Sequence, residues 1–332
     1  MDIDQNIKSK FQKARDEVDP ILYQKWDNEQ NYIRQLISEK DEFDWDINPQ
    51  SPKCLKYIGG VDISFSQKYD NIAVAILTIL EYTSLKAIYQ QHEVVKLDYP
   101  YIPGFLAFRE AAHLAKLFNQ LKQNKPEYTP QVVLVDGNGI LHQNACGLAS
   151  HLGVLINIPT IGIGKTVFFV DGLSEAEVTY KFNEHCKNEK DYVLLQGKSG
   201  RIWGAAIKSK KNTTDPIIIQ LDIKFLYNRL ANQFQLLQFR IPEPVRVADV
   251  KSREIVRNLK FEDTLTAKTN DFIKQDCRKV IERENRHINE KFAKQSTTFL
   301  ERFQNKIKDN KHKLIFFIGV ILICQLKFAY EN

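Results

Sequence analysis

The chain of 332 residues is 43% hydrophobic and 11% aromatic, which supplies a buried core and excludes a wholly disordered protein. Its five cysteines lie far apart without a C-x-x-C pair, which argues against a zinc site and a disulfide framework. The net charge is only +6, and the first residues are charged without an apolar run, so we expect no secretion and a reducing cytoplasmic or nuclear compartment.

The first predicted elements are helices followed by a β-meander. Residues 5–40 are predicted to form charged helices interrupted at Asp19-Pro20, and we assign residues 1–45 to an N-terminal helical segment. The pattern then changes to short apolar runs joined by polar turns, at residues 57–65, 72–80 and 86–95. Runs of this length favour three strands over helices.

Helices and strands alternate after the meander. Apolar residues at helical spacing predict a helix over 104–123 that ends before Pro126. The later predicted elements are a strand at 132–136, a helix around 146–155, strands at 160–163, 200–207 and 216–223, and a helix at 243–260. Three antiparallel strands followed by alternating helices and parallel strands predict an α/β fold with an RNase H-like mixed sheet and flanking helices, over residues 46–262.

The remaining residues, 263–332, are predicted to form a charged helical appendage. Residues 251–313 hold 17 Lys and Arg against 10 Asp and Glu, so the first 250 residues carry a net charge of −1. The appendage could pair with itself or a partner, or lie as a solvated helix on the core. Its end, Leu314–Cys324, is apolar over eleven residues. As a helix it rises about 16 Å against a hydrocarbon layer of roughly 30 Å, so a membrane contact is a further alternative.

Two aspartates follow buried apolar strands and are the first candidates for chemistry. Asp62 and Asp136 each stand at or near the end of such a strand, where a carboxylate is costly unless it is paired or binds a metal. Hard divalent ions such as Mg²⁺ take oxygen ligands from converging carboxylates. Each aspartate could instead cap a turn, since D-G-N-G at residues 136–139 is itself a good turn sequence.

A proline-framed tyrosine is the next candidate. Tyr101 stands between Pro100 and Pro103, and the following helix carries Arg109 and Glu110. A rigid loop presents an aromatic ring that inserts into a base stack with little loss of conformational entropy. The alternative is that Tyr101 packs on the surface of the domain.

Together these stretches resemble one family, endonuclease V, over most of residues 50–258. Six ordered segments carry the resemblance: GVDISF at 60–65, PYIPGFLAFRE at 100–110, VDGNGILH at 135–142, GLASHLGV at 147–154, PTIGIGK at 159–165 and FRIPEPVRVAD at 239–249. Segments of this length in the family's order argue against a chance match.

The resemblance implies roles at matching positions. It implies that Asp62, Asp136 and Glu110 bind the metal, and that Asp249 is a fourth acidic residue near the metal and the water. It implies that His142 and Lys165 lie near the scissile phosphate, where a cation stabilises the charged transition state. It also implies that Tyr101 fills the gap left by the displaced base. The pocket for hypoxanthine is implied at Gly104, Leu106, Gly137 and Gly147.

The activity implied by the resemblance is metal-dependent cleavage beside inosine. The family hydrolyses the second phosphodiester bond on the 3′ side of inosine and leaves 5′-phosphate ends. Mg²⁺ is the implied cofactor, with Mn²⁺ as a substitute, and we expect a monomer. Asn138, Leu141 and RIPEPVR at 240–246 resemble eukaryotic members, which favours inosine in single-stranded RNA, with deoxyinosine in DNA as the second possibility.

Two other functions are considered: an RNase H-like nuclease that selects its substrate by shape, and a catalytically silent module that binds nucleic acid. The base-wedge and glycine segments argue against the first, and the four acidic positions argue against the second. The sequence also departs from the family. Gln143 and Asn144 replace a usual proline or histidine and an arginine, Asp222-Ile223 replace a usual Gly-His pair, and the chain from about residue 265 has no family counterpart.

Overall fold

The computed structural model describes residues 18–38, 43–99, 101–165, 170–221, 239–265 and 267. Within these ranges, eight strands form one mixed sheet. The strands are β1 (Tyr57–Phe65), β2 (Ile72–Glu81), β3 (Ala87–Lys96), β4 (Val132–Asp136), β5 (Thr160–Gly164), β6 (Tyr192–Gln196), β7 (Ile202–Ile207) and β8 (Ile217–Leu221). Their order across the sheet is β3-β2-β1-β4-β5-β8-β7-β6.

The α-helices of the same ranges are α1 (Pro20–Leu36), α2 (Leu106–Asn124), α3 (Leu148–Ile156), α4 (Glu175–His185), α5 (Glu243–Arg257) and α6 (Phe261–Leu265), and a short 3-10 helix spans Pro126–Tyr128. Local chemistry sets where α1 begins. Pro20 is its first residue, and the Asp19 carboxylate accepts a hydrogen bond from the Ile21 N–H at 3.0 Å. The predicted break at Asp19-Pro20 is therefore the start of this helix.

The pairing of the strands confirms the predicted fold class. Strands β1, β2 and β3 form an antiparallel meander, while β4 and β5 run parallel to β1. Strands β8, β7 and β6 then extend the sheet in antiparallel pairs. Neither α4 nor β6 was predicted, since their short polar-interrupted segments give no clear period.

Helices cover both faces of the sheet. On one face, α2 and α3 pack through residues such as Leu114, Phe118 and Leu152 against Val61 and Val135. On the other face, Ile58 and Leu134 belong to a second cluster that includes Val245 of α5. Alternate residues of β1 and β4 thus point to opposite helical layers, as the pleat of a strand requires.

This alternation places the two candidate aspartates together. Val61 of β1 pairs with Val135 of β4 in parallel register, and the next residue in each strand is Asp62 and Asp136. Asp62 lies four residues after Ile58 and Asp136 two residues after Leu134, so each aspartate points to the same face as that residue. Both aspartates therefore lie on the face that α5 covers. Asp136 ends β4 as expected, whereas β1 continues to Phe65, so Asp62 lies within its strand beside the end of β4.

Most of the predicted appendage lies outside the described residues. Of residues 263–332, the structure describes only 263–265, which end α6, and Ala267. The apolar segment Leu314–Cys324, with its possible membrane contact, is not among them. No helix in the described part of the chain is long and apolar enough to cross a membrane.

Candidate active site

Three aspartates from three elements form an acidic cluster. Asp62 of β1, Asp136 of β4 and Asp249 of α5 each place a carboxylate oxygen within 4.8 Å of the others. Like charges this close repel one another unless protons or cations neutralise them. Oxygen ligands at this spacing suit a hard divalent cation.

The close approach of α5 to β1 brings Asp249 into the cluster. A Cβ at residue 60 would lie 2.0 Å from the carbonyl oxygen of Pro244, so only glycine allows the start of α5 to lie against this strand. The buried side of α5 is formed by Pro244, Val245, Ala248 and Ser252, at helical spacing. Asp249 follows directly on this side and faces Asp62.

Hydroxyl groups hold the carboxylate of Asp62. Ser64 Oγ donates to Asp62 Oδ2 at 3.1 Å, and Ser252 Oγ lies 2.6 Å from the same oxygen. Burial raises the pKa of Asp62, and the charges of Asp136 and Asp249 raise it further, while the two serine hydroxyls oppose the shift. The negative charge on Asp62 is therefore less favourable here than on an exposed aspartate.

Glu110 is a fourth carboxylate, held in the apolar side of α2. Its neighbours on the buried side of that helix include Ala107, Ala111 and Leu114. Burial raises its pKa to about 8, with Arg109 opposing the shift and Asp62 and Asp136 adding to it. Glu110 was expected to bind the metal with Asp62 and Asp136. The structure brings Asp249 into the group of three and places Glu110 in the adjoining cleft wall.

Two partly exposed cations balance part of the negative charge. Lys165 Nζ donates to Asp136 Oδ2 at 2.8 Å, and Arg253 Nε donates to Asp249 Oδ1 at 2.7 Å. Both cations have side chains more than half exposed, so solvent screens their attraction for the carboxylates. Lys165, one of the two residues expected near the scissile phosphate, therefore lies at the acidic cluster.

A cleft of about 400 Å³ opens beside the cluster. Its lining includes three of the acidic residues, Asp62, Glu110 and Asp136, together with the aliphatic Leu106. Tyr101 also lines it and is 58% exposed, so the ring stands open to solvent. The expected wedge therefore lies beside the carboxylates.

A cation and an aromatic ring form another part of the cleft. The guanidinium of Arg109 lies 4.7 Å from the ring centre of Phe65, which is itself exposed at the end of β1. Arg109 Nε is buried and has no hydrogen-bond partner among the described residues. This part of the cleft combines positive charge with an aromatic surface, which suits a nucleic-acid strand.

The glycines expected to line a base pocket lie in loops around these elements. Gly104 precedes α2 with a φ of +88°, and a Cβ there would meet the side chain of Gln143 at 2.0 Å. Gly137 follows Asp136 and donates its N–H to the Ile163 carbonyl. Gly147 caps α3 and donates to the Gly139 carbonyl. None of the three is among the cleft-lining residues, whereas Leu106 is.

His142 is buried and uncharged at neutral pH. Burial lowers its pKa to about 4. Its Nδ1 accepts a hydrogen bond from the Asn144 N–H at 3.2 Å, which leaves the ring proton on Nε2. Neither His142 nor Lys165, the pair expected near the scissile phosphate, is among the cleft-lining residues.

Comparison with known proteins decides the family. The family described as Endonuclease V matches residues 38–250. Mouse endonuclease V is 38% identical over 70% of this chain and 69% of its own length. This chain belongs to the endonuclease V family. The crystal structure of the catalytic domain of human endonuclease V aligns with a TM-score of 0.67 at 36% identity, covering 73% of this chain and 98% of that one.

A related solved structure contains nucleic acid. Endonuclease V of Ciona intestinalis, in complex with a 23-mer DNA containing an inosine followed by a ribo-adenosine, aligns with a TM-score of 0.64 at 29% identity. The match covers 73% of this chain and all of that chain. As a member of the endonuclease V family, this chain is an endonuclease of the hydrolase class.

Several residues around the endonuclease V site were missed from the sequence. Ser252 and Arg253, one α-helical turn after Asp249, contact Asp62 and Asp249, and their spacing on α5 was the available signal. Gln220 of β8 accepts from the Gly139 N–H at 2.8 Å and also hydrogen-bonds Asn138. Nothing local marks Gln220, because its partners lie about eighty residues away in the sequence. The Asp222-Ile223 departure falls outside the described residues.

Proposed function

We propose that the protein cleaves nucleic-acid strands beside inosine, at the second phosphodiester bond on its 3′ side, leaving 5′-phosphate ends. The observation that carries the proposal is the acidic cluster of Asp62, Asp136 and Asp249 beside a cleft that presents Tyr101. Family membership and the relative bound to inosine-containing DNA support it. Asn138 and Leu141, which resemble eukaryotic members, favour single-stranded RNA over DNA as the substrate.

The donor set fits a divalent cation, and we infer Mg²⁺, with Mn²⁺ as a substitute. Asp62, Asp136 and Glu110 would hold it, with Asp249 as a fourth carboxylate at the same cluster. The fit rests on the carboxylate oxygens of Asp62, Asp136 and Asp249, which lie within 4.8 Å of one another, because a hard divalent cation takes oxygen ligands. Such an ion would lower the pKa of a water bound to it and neutralise the negative charge that develops on the leaving 3′-oxygen.

The surrounding side chains would orient the strand and the water. Lys165, with half of its side chain exposed, can leave Asp136 for a phosphate oxygen and offset charge that grows there in the transition state. Asp249, which accepts a hydrogen bond from Arg253, would orient a water at the cluster. His142 is neutral at pH 7, because burial lowers its pKa to about 4, so it adds no charge near the strand.

Base recognition is assigned to the loops beside the cleft. Gly104, Gly137 and Gly147 lack side chains, so backbone groups can approach a displaced base, with Leu106 against its face. A backbone acceptor facing the N1–H of hypoxanthine would reject adenine, which has no proton there. Tyr101 would occupy the space that the base leaves.

Tyr101→Ala tests the wedge. We expect binding to inosine in a duplex to weaken by about tenfold and binding to a single strand to weaken much less, because only a duplex needs its vacated stack filled. Fluorescence anisotropy with matched strands measures both affinities. Tyr180→Ala is the control, since Tyr180 on α4 is similarly exposed at 64%. Equal losses on duplex and single strand would contradict the wedge.

The function is tested with four matched oligonucleotides, single-stranded RNA and DNA with and without one inosine. In Mg²⁺ we expect cleavage of the inosine strands alone, RNA faster than DNA, at the second bond 3′ to inosine. Cleavage that ignores inosine would indicate a shape-selective nuclease, and binding without cleavage a silent module. Either outcome would overturn the proposal. We further propose that the protein acts as a monomer in the cytoplasm or nucleus.

A further inference from the structure

One buried amide of the N-terminal helix joins two loops of the site. Gln30 of α1 is 1% exposed. Its Nε2 donates to the Gly104 carbonyl at 2.9 Å and to the Cys146 carbonyl at 2.8 Å. Its Oε1 accepts from Asn144 Nδ2 at 2.6 Å. Both N–H groups and the oxygen of this side chain therefore form hydrogen bonds with residues that lie 74 to 116 positions away in the sequence.

The two loops are those to which base recognition has been assigned. The first contains Gly104 and leads into α2, which carries Glu110. The second contains Cys146 and leads into Gly147 and α3. The side chain of Gln143, from the second loop, lies directly over Gly104. The loops thus touch each other, and Gln30 fixes the spacing between their backbones.

Packing fixes the helix that presents this amide. Trp26, one turn before Gln30, is buried and stacks on Phe108 with ring centres 5.2 Å apart. It also meets Tyr99 edge-on at 4.9 Å and lies against Phe105, the residue after Gly104. Because these aromatic rings flank the first loop, α1 cannot shift without moving that loop.

A glutamine is suited to this position by its hydrogen-bonding groups. It offers two N–H donors and one acceptor from a planar group, whereas glutamate lacks the donors and leucine lacks both. Without the donors, two buried backbone carbonyls would lose their partners, and a loop would have to move to reach water. Asn144, where the family usually has arginine, uses its amide on Gln30 and so joins the second loop to the same helix.

We propose that Gln30 is a positioning residue for base recognition, setting the gap between the Gly104 and Gly147 loops and hence the preference for inosine. The inference rests on the proposed function. Gln30 does not line the cleft and acts only through the loops that it holds. Its loss changes which base is accepted more than it changes the chemistry at the carboxylates.

The test compares wild type with Gln30→Leu, which keeps the size of the side chain. We expect the preference for inosine over adenosine, measured as the ratio of inhibition constants of two competitor strands, to fall by about tenfold or more. The kcat on a saturating inosine strand should change far less. Gln24→Leu is the matched control, because Gln24 lies on the same helix and is exposed.

Asn144→Ala is the second variant, in case Gln30→Leu fails to fold. It removes one bond from Gln30 at a partly exposed position, and we expect a smaller loss of preference in the same direction. If wild type prefers inosine and folded variants keep that preference while losing only thermal stability, Gln30 is structural and the inference is wrong. If wild type shows no preference, the proposed function itself fails.

Discussion

Asp62→Asn and Asp136→Asn are each expected to lower the rate of strand cleavage by about a thousandfold or more in Mg²⁺. Asparagine keeps the shape of the side chain but removes the negative charge that a divalent cation requires. Asp62 and Asp136 are adjacent across a parallel pair of strands, so removing either leaves an incomplete site. Single-turnover cleavage of an inosine strand measures the loss.

The control for these variants is Asp70→Asn, in the exposed turn between β1 and β2. It should cleave at the wild-type rate. Binding of the inosine strand should survive in the Asp62 and Asp136 variants, because the contacts proposed for the phosphate and the base involve other residues. Near-normal turnover in either variant would show that the acidic cluster does not carry the chemistry.

Glu110→Gln is expected to abolish cleavage while stabilising the metal-free protein. Burial raises the pKa of Glu110 to about 8 from an ordinary value of 4.5. Between these values the folded state retains a proton that the unfolded chain releases, so stability falls as the pH rises through this window. At pH 7 the raised pKa of Glu110 is expected to lower the free energy of unfolding by about 3 kcal/mol. Glutamine carries no charge and therefore removes this loss.

Thermal unfolding with and without Mg²⁺ checks this second prediction. Metal-free Glu110→Gln should melt above metal-free wild type at pH 7, and the difference should shrink towards pH 5. Added Mg²⁺ should raise the melting temperature of wild type more than that of the variant, because an ion that binds the folded state stabilises it. A variant that melts below wild type at pH 7 would contradict a strained, buried carboxylate.

Much of the fold could be predicted because its signals are local. Strands β1, β2 and β4 are short apolar runs, and α2 shows helical spacing, so their bounds were predicted to within two residues. Asp62 and Asp136 were also identifiable, since a charged residue directly after a run of apolar strand residues stands out in the sequence. The edge formed by β8, β7 and β6 was predicted less completely, because β6 is short and buries one of its five residues.

The rest of the site depends on contacts between distant segments. Asp249 was expected near the metal only from the family resemblance, and the reason that it joins the cluster, the approach of α5 to β1 at Gly60, is not visible in the sequence. Gln30 lies in an N-terminal helix to which the sequence assigned no role at the site, yet it joins two site loops. Ser252 looked like an ordinary polar residue until its hydroxyl was placed beside Asp62. Such assignments need the packing of elements in three dimensions.

The central claim is that carboxylates from β1, β4, α2 and α5 surround one divalent-cation site. Anomalous diffraction from crystals containing Mn²⁺ tests it most directly, because it locates the ion. We expect a peak beside Asp62 and Asp136 in wild type, and its loss in Asp136→Asn. The opposite result is a protein that cleaves inosine strands in Mn²⁺ while its crystals show the ion elsewhere and nothing at these carboxylates. That result would contradict a divalent-cation site at the acidic cluster.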